Sequence, residues 1–306
     1  IKIESCSFVD IVDGALAMKT EEDSFINECN FSQSKSLNTV VNDNSMILFD
    51  ASNGSLSIDK CNFLRMRTST FECTENSYSI SITSCLIQGQ QDMTNQPVYS
   101  IICSSATKLI VIEMSIDRSG GIFIKPTTKF TREVTLRNIS ISNSKYGIVC
   151  NPTAEVENQL ERFELDYFRI TKVKEALKLK LSDYSNFIDH GHVEECSNKL
   201  YSNEQDKENG IIEIIFTERT QTRNIAISGT EFINNEFQPD LSNGNKKECC
   251  CSGGIGVIFT LLKTEKVDEI AFNFEMNFCK LISNHMDLNT EEETIQNSGG
   301  SFYYCD

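Results

Sequence analysis

One eight-residue frame, apolar-x-apolar-x-x-(Cys or apolar)-x-apolar, recurs along the chain and narrows what it can fold into. It is clearest in Ile1-Lys2-Ile3-Glu4-Ser5-Cys6-Ser7-Phe8. It returns as Leu56/Ile58/Cys61/Phe63, Ile80/Ile82/Cys85/Ile87, Leu109/Val111/Met114/Ile116, Val134/Leu136/Ile139/Ile141, Phe163/Leu165/Phe168/Ile170, Ile225/Ile227/Thr230/Phe232 and Phe274/Met276/Cys279/Leu281. Two degraded copies are read at Ser24/Ile26/Cys29/Phe31 and Gly191/Val193/Cys196/Asn198. The Cys-equivalent positions run from 6 to 279 over ten copies, so the spacing is (279 − 6)/9, or about 30 residues. That is the period of a repeat architecture, not the length of a domain.

Apolar residues alternate strictly on either side of the two-residue break, so each copy reads as two short strands meeting at a corner. A third apolar strand follows a variable turn, as in Gly14 to Met18, Ser45 to Phe49, Val98 to Cys103, Gly121 to Ile124, Gly147 to Cys150, Ile211 to Phe216, Gly254 to Phe259 and Gly300 to Tyr304. Thr171 to Leu181 fits this third-strand column through Ala176, Leu177, Leu179 and Leu181 better than it fits a helix. Three strands per unit predict a roughly triangular coil, and ten coils at about 4.8 Å each predict a rod of about 50 Å. The expected fold is all-β, a right-handed parallel β-helix solenoid of about ten coils, because crossovers between parallel strands are nearly always right-handed. A sandwich or barrel would instead show hairpin turns every 8 to 12 residues and no longer period. The whole chain, 1-306, is then one β-helix domain, with inserted loops at 153-159, 201-209 and 238-253 carrying its individuality.

Two copies carry a more specific signature. Phe232-Ile-Asn-Asn235 followed by Gly253-Gly254-Ile255, and Leu281-Ile-Ser-Asn284 followed by Gly299-Gly300-Ser301, resemble the Phe-x-x-Asn and Gly-Gly-Ala-Ile repeat pair of chlamydial polymorphic outer membrane proteins, also found in surface proteins of some protists. The resemblance implies a β-helical surface or adhesion protein and carries over no catalytic residue. The frame is also similar to the wider pectate-lyase-like β-helix class, at the level of fold only.

Lys and Arg total 28 against 44 Asp and Glu, a net charge of −16. Such a surface disfavours phosphate backbones and anionic lipid, so nucleic acid is not an expected partner. The longest apolar stretch, Ile255 to Leu262 with its glycine neighbours, is far short of the roughly 20 residues that span a bilayer. The chain opens directly on a strand-like Ile1-Lys2-Ile3, without the basic and apolar run of a signal peptide, and the repeat still runs at Cys305-Asp306. These ends predict a segment of a longer solenoid, or a subunit that stacks end to end.

Thirteen cysteines are present. Cys6, Cys29, Cys61 and Cys85 occupy one interior column and read as small buried thiols interchangeable with Met114 and Ile139. Disulfides between coils are the rival, but parallel side chains suit the required torsion poorly. Cys73, Cys103, Cys150 and Cys305 fall in or beside third strands. Cys249, Cys250 and Cys251 lie in an inserted loop, where a disulfide is the first reading and metal ligation the last, since no Cys-x-x-Cys pair exists.

No catalytic or metal site is assigned, and no cofactor is expected. His190-Gly-His192 with Asp189 and Cys196 is the most metal-like cluster, because alternate residues on a strand face one way. The outward column between Cys and Phe reads Ser7, Asn30, Asn62, Leu86, Ser115, Ser140, Arg169, Ser197, Glu231 and Lys280, in which Arg169, Ser197 and Glu231 form the one run with chemistry to offer. Three sequons, at Asn30, Asn53 and Asn138, are placed outward or in a turn and are candidate N-glycosylation sites. The leading expectation is a non-enzymatic structural or adhesive surface β-helix, extracellular, contacting other proteins or glycans. A polysaccharide lyase or hydrolase of the β-helix group is the first alternative, favoured if Asp and Lys or Arg cluster on one face. The second is an intracellular scaffold of a filamentous assembly.

Overall fold

The computed structural model describes residues 1–12, 14–34, 45–50, 54–73, 77–90, 99–104, 106–124, 133–150, 162–181, 185–197, 212–216, 222–237, 257–261, 271–286 and 303–304. Among them the chain is all-β, with every strand pairing parallel. Ten strands, from Lys2–Glu4 to Ala271–Asn277, pair in chain order in one ladder. Ten more, from Leu16–Lys19 to Tyr303–Tyr304, pair in chain order in a second sheet. The second sheet is built from the apolar third strands, including Phe71–Cys73 and Glu175–Leu181.

Parallel pairing in chain order stacks each residue on its equivalent one unit later. Ile3 lies on Ile26, Ile26 on Ile58, Ile58 on Ile82 and Ile82 on Val111. Identical apolar positions therefore form continuous buried columns, and hydrophobic burial accumulates along the stack. Phe8, Phe31 and Phe63 show this directly, with successive ring centroids 4.8 and 4.9 Å apart and the rings nearly parallel. In the second sheet Phe49, Cys73, Cys103, Ile124, Cys150 and Leu179 form another buried column.

The two-residue break is a corner turned by left-handed backbone. The residue before each Cys-equivalent position has φ between 49° and 57° in all ten units: Ser5, Glu28, Lys60, Ser84, Glu113, Asn138, Tyr167, His190, Gly229 and Phe278. That conformation costs a non-glycine residue roughly 1–2 kcal/mol, and only one of the ten is glycine. Packing on both sides offsets the cost, because the αL residue redirects the chain while keeping the next apolar side chain inside. A second αL corner follows at Arg118, Asn143, Lys172, Glu195, Asn234 and Ser283.

The structure corrects one frame. Leu165 pairs with Ile188, Phe168 with Gly191 and Ile170 with Val193, so the copy is Asn186/Ile188/Gly191/Val193, not Gly191/Val193/Cys196/Asn198. Gly191 holds the Cys-equivalent position, and Cys196 belongs to the second corner. The physical reason is a size exchange between units. The Phe168 ring fills the volume that a Gly191 side chain would take, and a Cβ there would come within 2.1 Å of Phe168 Cζ. Asn186, buried at the first apolar position, hides the frame further.

Candidate functional site

The first corner fixes which polar side chains meet outside. Arg137, Asp166 and Asp189 are register partners on three successive units. Arg137 Nη2 donates to Glu164 Oε1 at 2.5 Å, and its Nε lies 3.4 Å from Asp166 Oδ2. Arg162 Nη2 donates to the other oxygen of Glu164 at 2.7 Å. His190, on the corner, puts Nδ1 3.1 Å from Asp166 Oδ1 and 3.2 Å from Asp189 Oδ2. Tyr167, the corner residue one unit earlier, stacks face to face on the imidazole, with centroids 4.4 Å apart and planes 1° from parallel. Two arginines, three carboxylates, an imidazole and an exposed aromatic thus share one patch.

A second strip runs alongside. The outward column past the corner is Arg169, His192, Glu231 and Lys280, which displaces Ser197 from the run expected from sequence. Ser197 is buried and bridges to Glu236. His192 Nε2 lies 3.0 Å from Glu194 Oε2, and its Nδ1 lies 3.4 Å from Glu231 Oε2. Lys280 Nζ closes on Glu231, and Arg169 Nη2 on Glu194 at 3.3 Å. The hydrogen bond from His192, helped by Arg169, holds the Glu194 carboxyl below the usual carboxylate range. Lys280 does the same for Glu231.

The residues that looked most metal-like in sequence, His190, His192, Asp189 and Cys196, are not brought together as one cluster. His190 has αL backbone, so the alternation that would aim both imidazoles together is broken, and the two rings take separate carboxylate partners. The Cys196 thiol is buried, with its sulfur facing the Ile170 carbonyl; burial pushes its pKa up to about 12.

Backbone N–H groups of Cys6, Cys29 and Cys61 point at the sulfur of Cys29, Cys61 and Cys85 in the next unit, at 3.4 to 3.5 Å. Cys6, Cys29, Cys61, Cys85, Cys150, Cys196 and Cys279 are free thiols, and burial pushes Cys150 to about 12. Cys249, Cys250, Cys251, Cys305 and Asn53 lie outside the described residues, as do the loops 153–159, 201–209 and 238–253. Asn30 is exposed and accepts from Asn62 Nδ2 at 3.0 Å. Asn138 is exposed on the first corner, its neighbouring corner residues being Glu113 and Tyr167.

Sequence reasoning quoted Asn235 and Asn284 without giving them a role. At the second corner Asn235 Oδ1 accepts the Cys196 N–H at 2.9 Å, while Nδ2 donates to the Val193 carbonyl at 3.0 Å and to Asn284 Oδ1 at 2.9 Å. Asn284 Nδ2 in turn donates to the Phe232 carbonyl at 2.8 Å. The signal was the recurrence of Asn at one frame position in consecutive copies. Two asparagines form a ladder that satisfies corner backbone groups across three units.

Asp117, also missed, organises the second corner lower down. Its Oδ1 accepts from Ser142 Oγ and Asn143 Nδ2, both at 2.8 Å, and its Oδ2 from Arg118 Nε at 2.9 Å. Partial burial works against the charge, but the donors outweigh it and hold the carboxyl below its ordinary value. A depressed carboxylate contributes stability above its unfolded pKa and loses it as pH falls through the folded pKa. Asp117→Ala is therefore expected to cost about 2 kcal/mol at pH 7, a difference that closes as denaturant titrations are repeated below the ordinary carboxylate range. A gap that does not change with pH would mean the contribution is packing instead.

Among the described residues no helix is long and apolar enough to cross a membrane. Compared with known proteins, the chain matches no family model, no curated protein and no solved structure.

Proposed function

We propose that the chain is a right-handed parallel β-helix solenoid of about ten coils acting as a structural or adhesive surface protein, in the manner of the repeat proteins its Phe-x-x-Asn copies resemble. The observation that carries this reading is the exposure of large apolar side chains on outward strand and corner positions: Phe25, Tyr78, Tyr167, Phe187 and Phe278 are each about half exposed or more. Single exposed apolar residues are ordinary; a set distributed over parallel, evenly spaced units offers repeated contacts to an extended partner, protein or glycan. The acidic surface keeps such a rod dispersed.

A specific observation favours a second reading. The condition set from sequence for a carbohydrate-cleaving enzyme, acidic and basic groups gathered on one face, is met by Arg137, Arg162, Glu164 and Asp166. Acid, base and charge stabilisation of a glycosidic bond require groups of these kinds.

One experiment on the protein from its native source addresses the first reading. Intact cells are treated with a membrane-impermeant biotin reagent, and the protein is then mass-mapped before and after enzymatic deglycosylation. Biotinylation together with sugar on Asn30, Asn53 or Asn138 is the expected result. Protection from the reagent with all three sequons bare would overturn it and favour the intracellular scaffold. Depolymerisation of a polysaccharide, lost in Asp166→Asn, would move the assignment to the enzyme.

A further inference from the structure

We propose that Asp166, Asp189 and His190 form a three-ligand site for a divalent transition-metal ion of the zinc or cobalt kind, bridging two successive units at the first corner and open to solvent. This goes beyond the adhesive reading and does not depend on it.

The three groups are short of protons to share. His190 Nδ1 faces Asp166 Oδ1 at 3.1 Å and Asp189 Oδ2 at 3.2 Å, and all three ligand atoms lie within 4.8 Å of one another. Nδ1 carries at most one hydrogen, which can point well at only one carboxylate. Two carboxylates facing one nitrogen also repel each other. A dication among them serves all three donors at once. Metal–nitrogen and metal–oxygen bonds of about 2.0–2.2 Å place neighbouring ligand atoms about 2.8–3.6 Å apart in tetrahedral or octahedral shells, and the two measured separations fall inside that window.

Three further features hold the donors ready. The other oxygen of Asp189, Oδ1, accepts the His190 backbone N–H at 2.9 Å. The other oxygen of Asp166 faces Arg137 Nε at 3.4 Å. The stacked Tyr167 ring fixes the imidazole plane. Each carboxylate thus turns its remaining oxygen toward Nδ1, as outer partners commonly orient metal ligands. Gly229, the corner residue of the next unit, packs close behind these two residues: a Cβ there would stand 3.3 Å from Asp189 Oδ1 and 3.5 Å from His190 Cδ2. One imidazole and two carboxylates select a zinc-like ion, whereas calcium takes six to eight oxygens.

The test removes the cysteine run first, since thiolates also bind these metals. Protein carrying Cys249→Ser, Cys250→Ser and Cys251→Ser is freed of metal, shown folded by circular dichroism, and titrated with cobalt(II). The expected result is one saturable equivalent with visible ligand-field absorption, displaced by zinc and accompanied by a rise in Tm. His190→Gln and Asp189→Asn in the same background are expected to weaken binding at least about tenfold, while His192→Gln leaves it unchanged and calcium fails to compete. Should His190→Gln unfold, Asp166→Asn takes its place. No saturable cobalt binding by the folded protein would overturn the site, as would binding that His190→Gln leaves intact in the folded state. Neither outcome bears on cell-surface display, so this proposal and the adhesive reading fail separately.

Discussion

Asn235→Leu is expected to lower the stability of the last third of the chain by about 4 kcal/mol. Leucine keeps the branching of asparagine at Cγ but can neither accept from the Cys196 N–H nor donate to the Val193 carbonyl and Asn284 Oδ1. Asn235 is fully buried, so the abandoned groups have no water to turn to, and each orphaned polar group costs about 1–3 kcal/mol. Asn284→Ala removes as many bonds but from a less buried position and is expected to cost about 1–2 kcal/mol. In a stack whose units touch only their neighbours, the damage stays local. Hydrogen exchange on Asn235→Leu should therefore show lost protection around Val193 and Phe232, with the strands of Ile58 and Ile82 unaffected. Uniform loss along the chain would show that the stack unfolds as one unit, and a change under about 1 kcal/mol would remove the ladder from any structural role.

The parallel ladders were legible because burial repeats: an interior column needs apolar residues at the same frame position in every unit, and Ile26, Ile58, Ile82 and Val111 meet that demand without exception. Corner conformation was not legible. Glu28, Lys60, Tyr167 and His190 all adopt αL backbone, and nothing in their side chains announces it; the fold imposes the conformation from both flanking strands. The outer face was harder still. Solvent accepts almost any polar residue, so outward positions carry no period, and their partners appear only once register is known. A five-residue error at Gly191 was enough to put Ser197 where His192 belongs and to hide the strip from Arg169 to Lys280. Of the Asp166, Asp189 and His190 cluster only the adjacent Asp189 and His190 were grouped from sequence; Asp166 was out of reach, because it lies 24 positions from His190 and meets it only through the corner angle.

The exchange of volume between Phe168 and Gly191 sets the second large effect. Gly191→Ala, ordinarily a mild change that reduces the freedom of the unfolded chain, is expected here to destabilise by about 2–3 kcal/mol. The new methyl would sit 2.1 Å from Phe168 Cζ and 2.4 Å from Cε1, distances that no packing tolerates, and Phe168 is buried on every side. The ring must rotate into neighbours that already fill the interior. If the exchange of volume between units is the cause, shrinking the ring should reverse the sign of the alanine effect. Phe168→Leu alone opens a cavity and is expected to cost about 2 kcal/mol; in that background Gly191→Ala fills part of the cavity and should recover stability. A double-mutant cycle read from denaturant midpoints would then give a coupling of about 2 kcal/mol or more. Additive losses would mean that Gly191 is required by its backbone, not by the ring beside it.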